Sequence, residues 1–356
     1  MFRYILHLLL LILSLALAAL PFLPASLAGW LVLLSLAAIP LFILNIIVLL
    51  LSFLPSRSSS LKRRFAPSAR SRSRYLPTLS LLLLLPCMSN YLPINFFLEK
   101  SSPKAPANVP LPAENQLSLT LISFNVDNFQ LSPKTLHEFA ALAHDRQADI
   151  ICLQERPHDN LLRWDSIKAA FPDYPYAICN SREDEVLNLA VISRYPLSGM
   201  TERYYPHSYN KQLFTDVILG PDTIRLFNVH LQTTGLADNR DNPKHALRQF
   251  FDQAILRNQQ ADDLVSDVQA SPHPAIVVGD FNDTRAGYAY RRLRTYLRDA
   301  NPHLSFTGSY QRFHSLFKID HILCSSPFVP CDYELIPNTW SDHKLQITRL
   351  TFTPNE

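Results

Sequence analysis

Two hydrophobic patterns divide the chain. From Tyr4 to Ser56 the only side chain that charges near neutral pH is His7. A helix needs about 20 apolar residues to cross the hydrocarbon of a bilayer. The run therefore predicts spans near residues 4–20 and 27–54, with a break at Pro21 and Pro24 and a tolerable kink at Pro40. A third uncharged stretch, 76–98, is interrupted by Pro77, Pro86 and Pro93. It is the weakest of the three, and a re-entrant or interfacial segment rivals it. From Leu117 onward the apolar runs shorten to strand length and alternate with amphipathic stretches of helical period.

In that second region Leu117–Val126 reads as a strand, and Ser132-Pro133 opens a helix whose apolar face is Leu136, Phe139, Leu142 and Ala143. Asp149–Glu155 is a buried strand, Asp159–Phe171 a helix, and Leu187–Ser193 a further strand. Asp216–Leu219 and Thr223–Leu231 form a hairpin around Gly220-Pro221-Asp222. Asn242-Pro243 opens a long helix to about Val268. Ala275–Val278 is a β-branched strand, Tyr288–Leu297 a helix and Ile319–Cys324 a strand, and Asp332–Ile336 and Leu345–Phe352 close the sheet. Internal repeats are absent.

Charge sharpens the division. Eight of the 33 basic residues and none of the 30 acidic ones precede Glu99, which leaves 25 basic against 30 acidic residues beyond it, a net of −5. Arg57–Arg74 holds seven positive charges and no negative one, and such loops stay cytoplasmic. The expected organisation is a membrane region over 1–98 with a basic cytoplasmic loop at 55–75, a Pro-rich stalk over 99–116, and a domain over 117–356 on the non-cytoplasmic side of the plasma (inner) membrane. Cleavage of a signal peptide after Ala16-Leu17-Ala18 is an alternative that leaves this orientation unchanged. The five cysteines have no zinc-site spacing, and Cys324 with Cys331 is the pair to consider outside the cytoplasm.

The candidate chemistry lies where apolar strands run out. Val277-Val278-Gly279-Asp280-Phe281-Asn282-Asp283 ends a strand with a carboxylate and an amide two residues apart, so both project the same way. A carboxylate can take a proton from water and an amide can hold a phosphate oxygen. Other strands end in Asn125, Glu155, His230, Asp320 and the pair Asp342-His343. Each alone has a structural account: an Asp/Asn turn, a solvated loop acid, a core histidine. Six in order point to one site.

The set Phe124-Asn125-Val126-Asp127, Leu153-Gln154-Glu155, Asn228-Val229-His230-Leu231, Gly279-Asp280-Phe281-Asn282-Asp283, Ile319-Asp320-His321-Ile322 and Ser341-Asp342-His343 resembles the endonuclease/exonuclease/phosphatase (DNase I-like) superfamily, in its membrane-anchored bacterial arrangement. DNase I-like nucleases, neutral sphingomyelinases and inositol-polyphosphate phosphatases belong to it. The resemblance implies a four-layer α/β sandwich of two mixed sheets. It implies Mg²⁺, with Mn²⁺ as a substitute, held by Asn125 and Glu155 with Asp127 as an outer ligand and Asp342 beside the metal. It also implies Asp280 as the acid that activates water, Asn282 as the orienting amide, and His230 and His343 as the pair that stabilises the developing charge. Asp320 is implied as the partner of His343. Lys344-Leu345-Gln346 departs from the family's usual hydrophobic start of the last strand and puts a charge near the rim.

The function expected is a membrane-anchored phosphodiesterase working by metal-assisted in-line attack of water. Its partners are the bilayer and a phosphoester: a lipid head-group, a small molecule or nucleic acid. An extracytoplasmic nuclease is the alternative, although a domain at net −5 is poorly equipped for a polyanion. A non-catalytic envelope binding protein is a third reading, and no obligate protein partner is called for.

Overall fold

The computed structural model describes residues 2–53, 67–88, 117–180, 186–234, 243–301 and 307–352. The expected stalk at 99–116, residues 54–66 of the basic loop and 89–98 of the third expected span lie outside the described residues. From Leu117 on, the described residues form twelve strands: β1 Leu117–Asn125, β2 Ile150–Arg156, β3 Tyr176–Cys179, β4 Asn188–Ser193, β5 Leu197–Tyr204, β6 Lys211–Leu219, β7 Asp222–His230, β8 Ala275–Asp280, β9 Arg298–Asp299, β10 Asp320–Cys324, β11 Val329–Ile336 and β12 Leu345–Phe352. They make two six-stranded sheets, in the orders β11-β12-β1-β2-β4-β3 and β5-β6-β7-β8-β10-β9. Each sheet is mixed. β1 and β2 are parallel in the first, β7 and β8 in the second, and the other pairs are antiparallel.

Alternation explains the layers. Along β8, Ile276 and Val278 enter the core between the sheets, while Ala275 and Val277 face the helices outside. Leu119 and Leu121 of β1, Ile150 and Cys152 of β2, and Leu226 of β7 fill the same inter-sheet core. Each such side chain taken out of water contributes about 1.5–3 kcal/mol. Pro133–Asp145 and Trp164–Ala169 are helices that cover the first sheet through Leu136, Phe139 and Ile167. Helix Pro243–Gln269, called αC here, and helix Tyr288–Leu293, called αD, cover the second through Ala261, Leu264 and Leu293. The four layers are those expected. The helix expected over 159–171 shortens to Trp164–Ala169, because Asp159 turns back to bind Arg156 at 2.6 Å. The five cysteines are unpaired: Cys324 is buried in the second sheet and Cys331 lies on β11 of the first.

The N-terminal region departs from expectation. Among the described residues one helix, Tyr4–Phe22 with mean hydropathy 2.5, is long and apolar enough to cross a membrane, rather than three. The second expected span is broken at Leu31 and Ala37 into helices Ala25–Trp30, Val32–Leu36 and Ala38–Phe53. Its first piece is diverted into packing on the domain that begins at Leu117. Gly29 lies so close to αC that a Cβ there would fall 2.3 Å from the Ile255 side chain. Asn258 donates to the Ala25 carbonyl at 3.2 Å, Trp30 stacks on Phe251 at 5.0 Å, and Val32 packs with Phe250 and Ala254. Arg291 of αD donates to the carbonyls of Leu17 and Ala18 at the end of the first helix. The third apolar stretch is Tyr75–Leu85, inside helix Pro67–Met88.

Candidate active site

The polar residues of the site continue the apolar stripes of the inter-sheet core. On β1 the stripe Leu119, Leu121 goes on to Ser123 and Asn125; on β7, Ile224 and Leu226 go on to Asn228 and His230; on β8, Ile276 and Val278 go on to Asp280. Strand period two therefore aims Asn125, His230 and Asp280 into the gap between the sheets. Asp320, at the start of β10, pairs in register with Asp280, and His230 pairs in register with Asp280 from the other side. Gly279 makes this approach feasible: its φ is +136°, and a Cβ there would lie 1.9 Å from the Val229 carbonyl oxygen. Glu155 has the wrong parity on β2. A positive φ of 54° and a register shift between Leu153 and Arg156 turn it into the cluster.

One layer below, buried amides clamp the sheets together. Gln154 donates to Asn228 Oδ1 at 2.7 Å, and Asn228 donates to the carbonyls of Leu153 at 3.0 Å and Ala190 at 2.9 Å. Asn125 Nδ2 donates to Glu155 Oε1 at 2.9 Å and to Asp280 Oδ2 at 3.2 Å. His230 Nε2 lies 3.0 Å from Glu155 Oε1 and 3.6 Å from Asp280 Oδ2, and His343 Nε2 lies 3.7 Å from the same Asp280 oxygen. Nδ1 of His343 is held by both oxygens of Asp320, at 2.9 and 3.1 Å. Asn282, at φ 49°, donates its backbone N–H to Asp280 Oδ1 at 2.7 Å and its amide to the Leu231 carbonyl at 3.0 Å.

These contacts set the charges. Burial and the neighbouring Asp320 push the Asp280 carboxyl up to about 6, against the pull of His343 and His230. Burial also opposes ionisation of Glu155, but its hydrogen bonds from His230 and Asn125 prevail and leave it at about 2. For His343 burial disfavours the charged ring, yet the Asp320 carboxylate outweighs it and raises the ring to about 10. His343 is thus an imidazolium at neutral pH. The Asn210 amide donates to the Leu231 carbonyl at 3.0 Å and turns the same amino group to His230 Nδ1, so a proton of His230 sits on Nε2, facing Glu155; burial disfavours the charged ring, but the bond to Glu155 and the nearby Asp280 outweigh it and raise its pKa.

The nine residues singled out in the sequence gather at one edge of the sandwich. Among the described residues, metal-ligating atoms converge in two overlapping triads, Glu155–His230–Asp280 and Asp280–Asp320–His343. Asp127 and Asp342 stand outside both triads, toward the mouth. Asp127 is raised by burial and then by the charges of Asp342 and Glu155. Asp342 is 3.7 Å from His343 Nε2 and paired at 3.0 Å with the exposed Arg312. Sequence reasoning passed over Asn210, Arg312, Tyr310, whose ring lies 5.0 Å from that of His343, and Ser341, which donates to the Asn125 carbonyl at 2.7 Å. Asn210 precedes Lys211, which pairs with His230, so extending the hairpin to its full register would have found it.

The donor set suits a hard divalent cation. Three buried carboxyls, Glu155, Asp280 and Asp320, face two histidines whose pKa values they raise, so the cluster is rich in oxygen ligands and in negative charge that an oxygen-loving cation relieves.

The sequence profile of the Endonuclease/Exonuclease/phosphatase family matches residues 122–343. No functionally curated protein matches the chain. Among solved structures, humanized TDP2 of D. rerio superposes with a TM-score of 0.52 at 16% identity, covering 65% of this chain and 98% of that one. A family protein from Bacteroides thetaiotaomicron gives 0.51 at 17% identity, covering 68% and 99%, and one from Bacteroides vulgatus gives 0.51 at 18%, covering 66% and 98%. At such identities these likenesses speak for the fold.

Proposed function

The chain belongs to the endonuclease/exonuclease/phosphatase family of metal-dependent phosphoester hydrolases, and from that premise we propose that it cleaves a phosphodiester by in-line attack of water. The observation that carries this reading is the placement of Asp280 Oδ2, buried 3.6 and 3.7 Å from the Nε2 atoms of two histidines. Asp280 takes the proton of the attacking water. His343, charged and aligned by Asp320, gives a proton to the leaving oxygen. His230 Nε2–H donates to a phosphoryl oxygen, and the Asn282 amide, pinned to Leu231, orients the phosphate. Water adds to phosphorus, one ester P–O bond breaks, and a phosphomonoester and an alcohol leave. Asn125 and Glu155 would hold Mg²⁺ or Mn²⁺, with Asp127 and Asp342 at its outer side. Bound there, the cation supplies Lewis-acid stabilisation of the phosphate charge.

Activity on bis-p-nitrophenyl phosphate is expected only with added Mg²⁺ or Mn²⁺, and EDTA is expected to abolish it. Even outer partners of a metal are worth about 10–100-fold in affinity, so Glu155→Gln, which removes the charge of a direct ligand, is expected to raise the half-saturating Mg²⁺ concentration by about 100-fold or more. Undiminished wild-type turnover in EDTA would refute the metal mechanism.

The N-terminal apolar helices are proposed to hold the domain at the plasma membrane on its non-cytoplasmic side. The bonds from Arg291 to Leu17 and Ala18 keep the end of the first helix beside the domain, and the reading takes Ala38–Phe53 and the apolar residues from Tyr75 on as crossing the bilayer on either side of a cytoplasmic Arg57–Arg74. A reporter active only outside the cytoplasm, fused after Glu356, is expected to be active; activity of a cytoplasmic reporter alone would reverse the orientation.

A further inference from the structure

Among the described residues beyond Leu117, ten large apolar side chains are exposed, and their placement is uneven. Leu131 follows β1, Leu161 follows β2, Val186 precedes β4, Tyr209 precedes β6, Leu247 opens αC and Leu316 precedes β10. The first four and Leu316 flank strand ends that carry the site, and Leu247 lies in the second turn of the helix that follows β7: Arg156 at the end of β2 pairs with Asn188 at the start of β4, Lys211 with His230, and Asp320 with Asp280. Tyr176 and Val329, by contrast, start strands at the opposite edge, where they pair with Ser193 and Thr351. The edge of the sandwich that holds the site therefore carries apolar side chains that water disfavours, with Leu161 58% and Leu316 67% exposed.

This rim is continuous with the N-terminal apolar helices. The helix Ala25–Trp30 begins against Asn258 of αC and ends with Trp30 on Phe251, so it runs toward the start of αC and hence toward the site edge. Leu247 lies one turn before Phe251 on the same face of αC. Trp30 is itself largely exposed, as a tryptophan at a bilayer interface is, with its ring in the head-group layer.

We infer that the rim rests in the head-group layer of the bilayer that holds the N-terminal helices, and that the substrate is a membrane phospholipid whose phosphodiester reaches Asp280 from the bilayer surface. The inference rests on the phosphodiesterase reading above and assigns that site its substrate class. Hydrolysis leaves one product, the alcohol or the phosphomonoester, carrying the acyl chains in the bilayer, and releases the other to water. The polar centre accounts for the phosphate, and the apolar rim accounts for the chains beside it.

The test uses the full chain in detergent, with Mg²⁺, on dihexanoyl phosphatidylcholine, phosphatidylethanolamine and phosphatidylglycerol, each below and above its micelle threshold. Bis-p-nitrophenyl phosphate is the soluble control. At least one lipid is expected to be hydrolysed, with turnover rising about tenfold or more on passing from monomer to micelle. Leu161→Asp/Leu316→Asp is expected to lose that rise while keeping turnover of the soluble ester within about twofold, which also reports that it folds. The inference is overturned by turnover indifferent to micelle formation, by a rim variant as active on micelles as wild type, or by an oligonucleotide cleaved while all three lipids are spared. Loss of the soluble-ester activity from the wild-type protein would instead remove the phosphodiesterase reading, and this inference with it.

Discussion

Asp280→Asn is expected to lower kcat by about 10²–10⁴, the range that a positioned general base contributes. The substitution keeps the shape and the N–H bond from Asn282 but removes the acceptor that takes the proton of water. The pH profile separates this role from a merely structural one. Burial and Asp320 raise the Asp280 carboxyl to about 6, so wild-type kcat/KM is expected to fall as the pH drops through that value and the base becomes protonated. A cation bound beside it favours the carboxylate and moves the limb to lower pH. In Asp280→Asn the residual activity is expected to lose this limb. Residual activity that keeps the wild-type acid limb would assign the limb, and the base, to another group.

The second large effect concerns Asp320 and His343. Their bonds at 2.9 and 3.1 Å make them one unit, and residues acting as a unit lose activity non-additively. His343→Ala is expected to cost about 10³ in kcat, Asp320→Ala nearly as much, and the double variant little more than His343→Ala. The two bonds also predict a pH shift. His343 is held near 10 chiefly by Asp320 acting against burial, so in Asp320→Asn the ring is expected to deprotonate at lower pH and the alkaline limb of kcat to move down with it. Multiplicative losses with an unmoved alkaline limb would leave Asp320 only a packing role.

What the sequence made legible follows from its physics. Apolar strands that run out in polar side chains, as in Val277–Asp280 and Ile224–His230, announce both a buried strand and the point where it meets the site. β5, Leu197–Tyr204, stayed illegible because it is an edge strand, largely exposed and composed of Ser, Gly, Met, Thr and Glu, with no apolar alternation to mark it. β3 has only four residues. Asn210 and Arg312 act through strand register and loop closure, which no local pattern encodes. The second expected span misled for a different reason. Apolar residues 27–37 satisfy a hydropathy window equally well whether lipid or αC covers them, and here αC takes part of that surface.

The first sheet also fixes an order of assembly. The strands of the second sheet, β5 to β10, form one unbroken stretch of chain set between β4 and β11, and β12, the latest in the chain of the described strands, is an interior strand beside β1. Until the ribosome releases Leu345–Phe352, β1 presents a bare edge and His343 is not yet fixed opposite Asp320. Synthesis runs at about 5–20 residues per second from the N-terminus, so the apolar helices emerge well before that final strand. A chain made only as far as β11 has neither β12 beside β1 nor His343 opposite Asp320, so the proposed site assembles only once that strand is made.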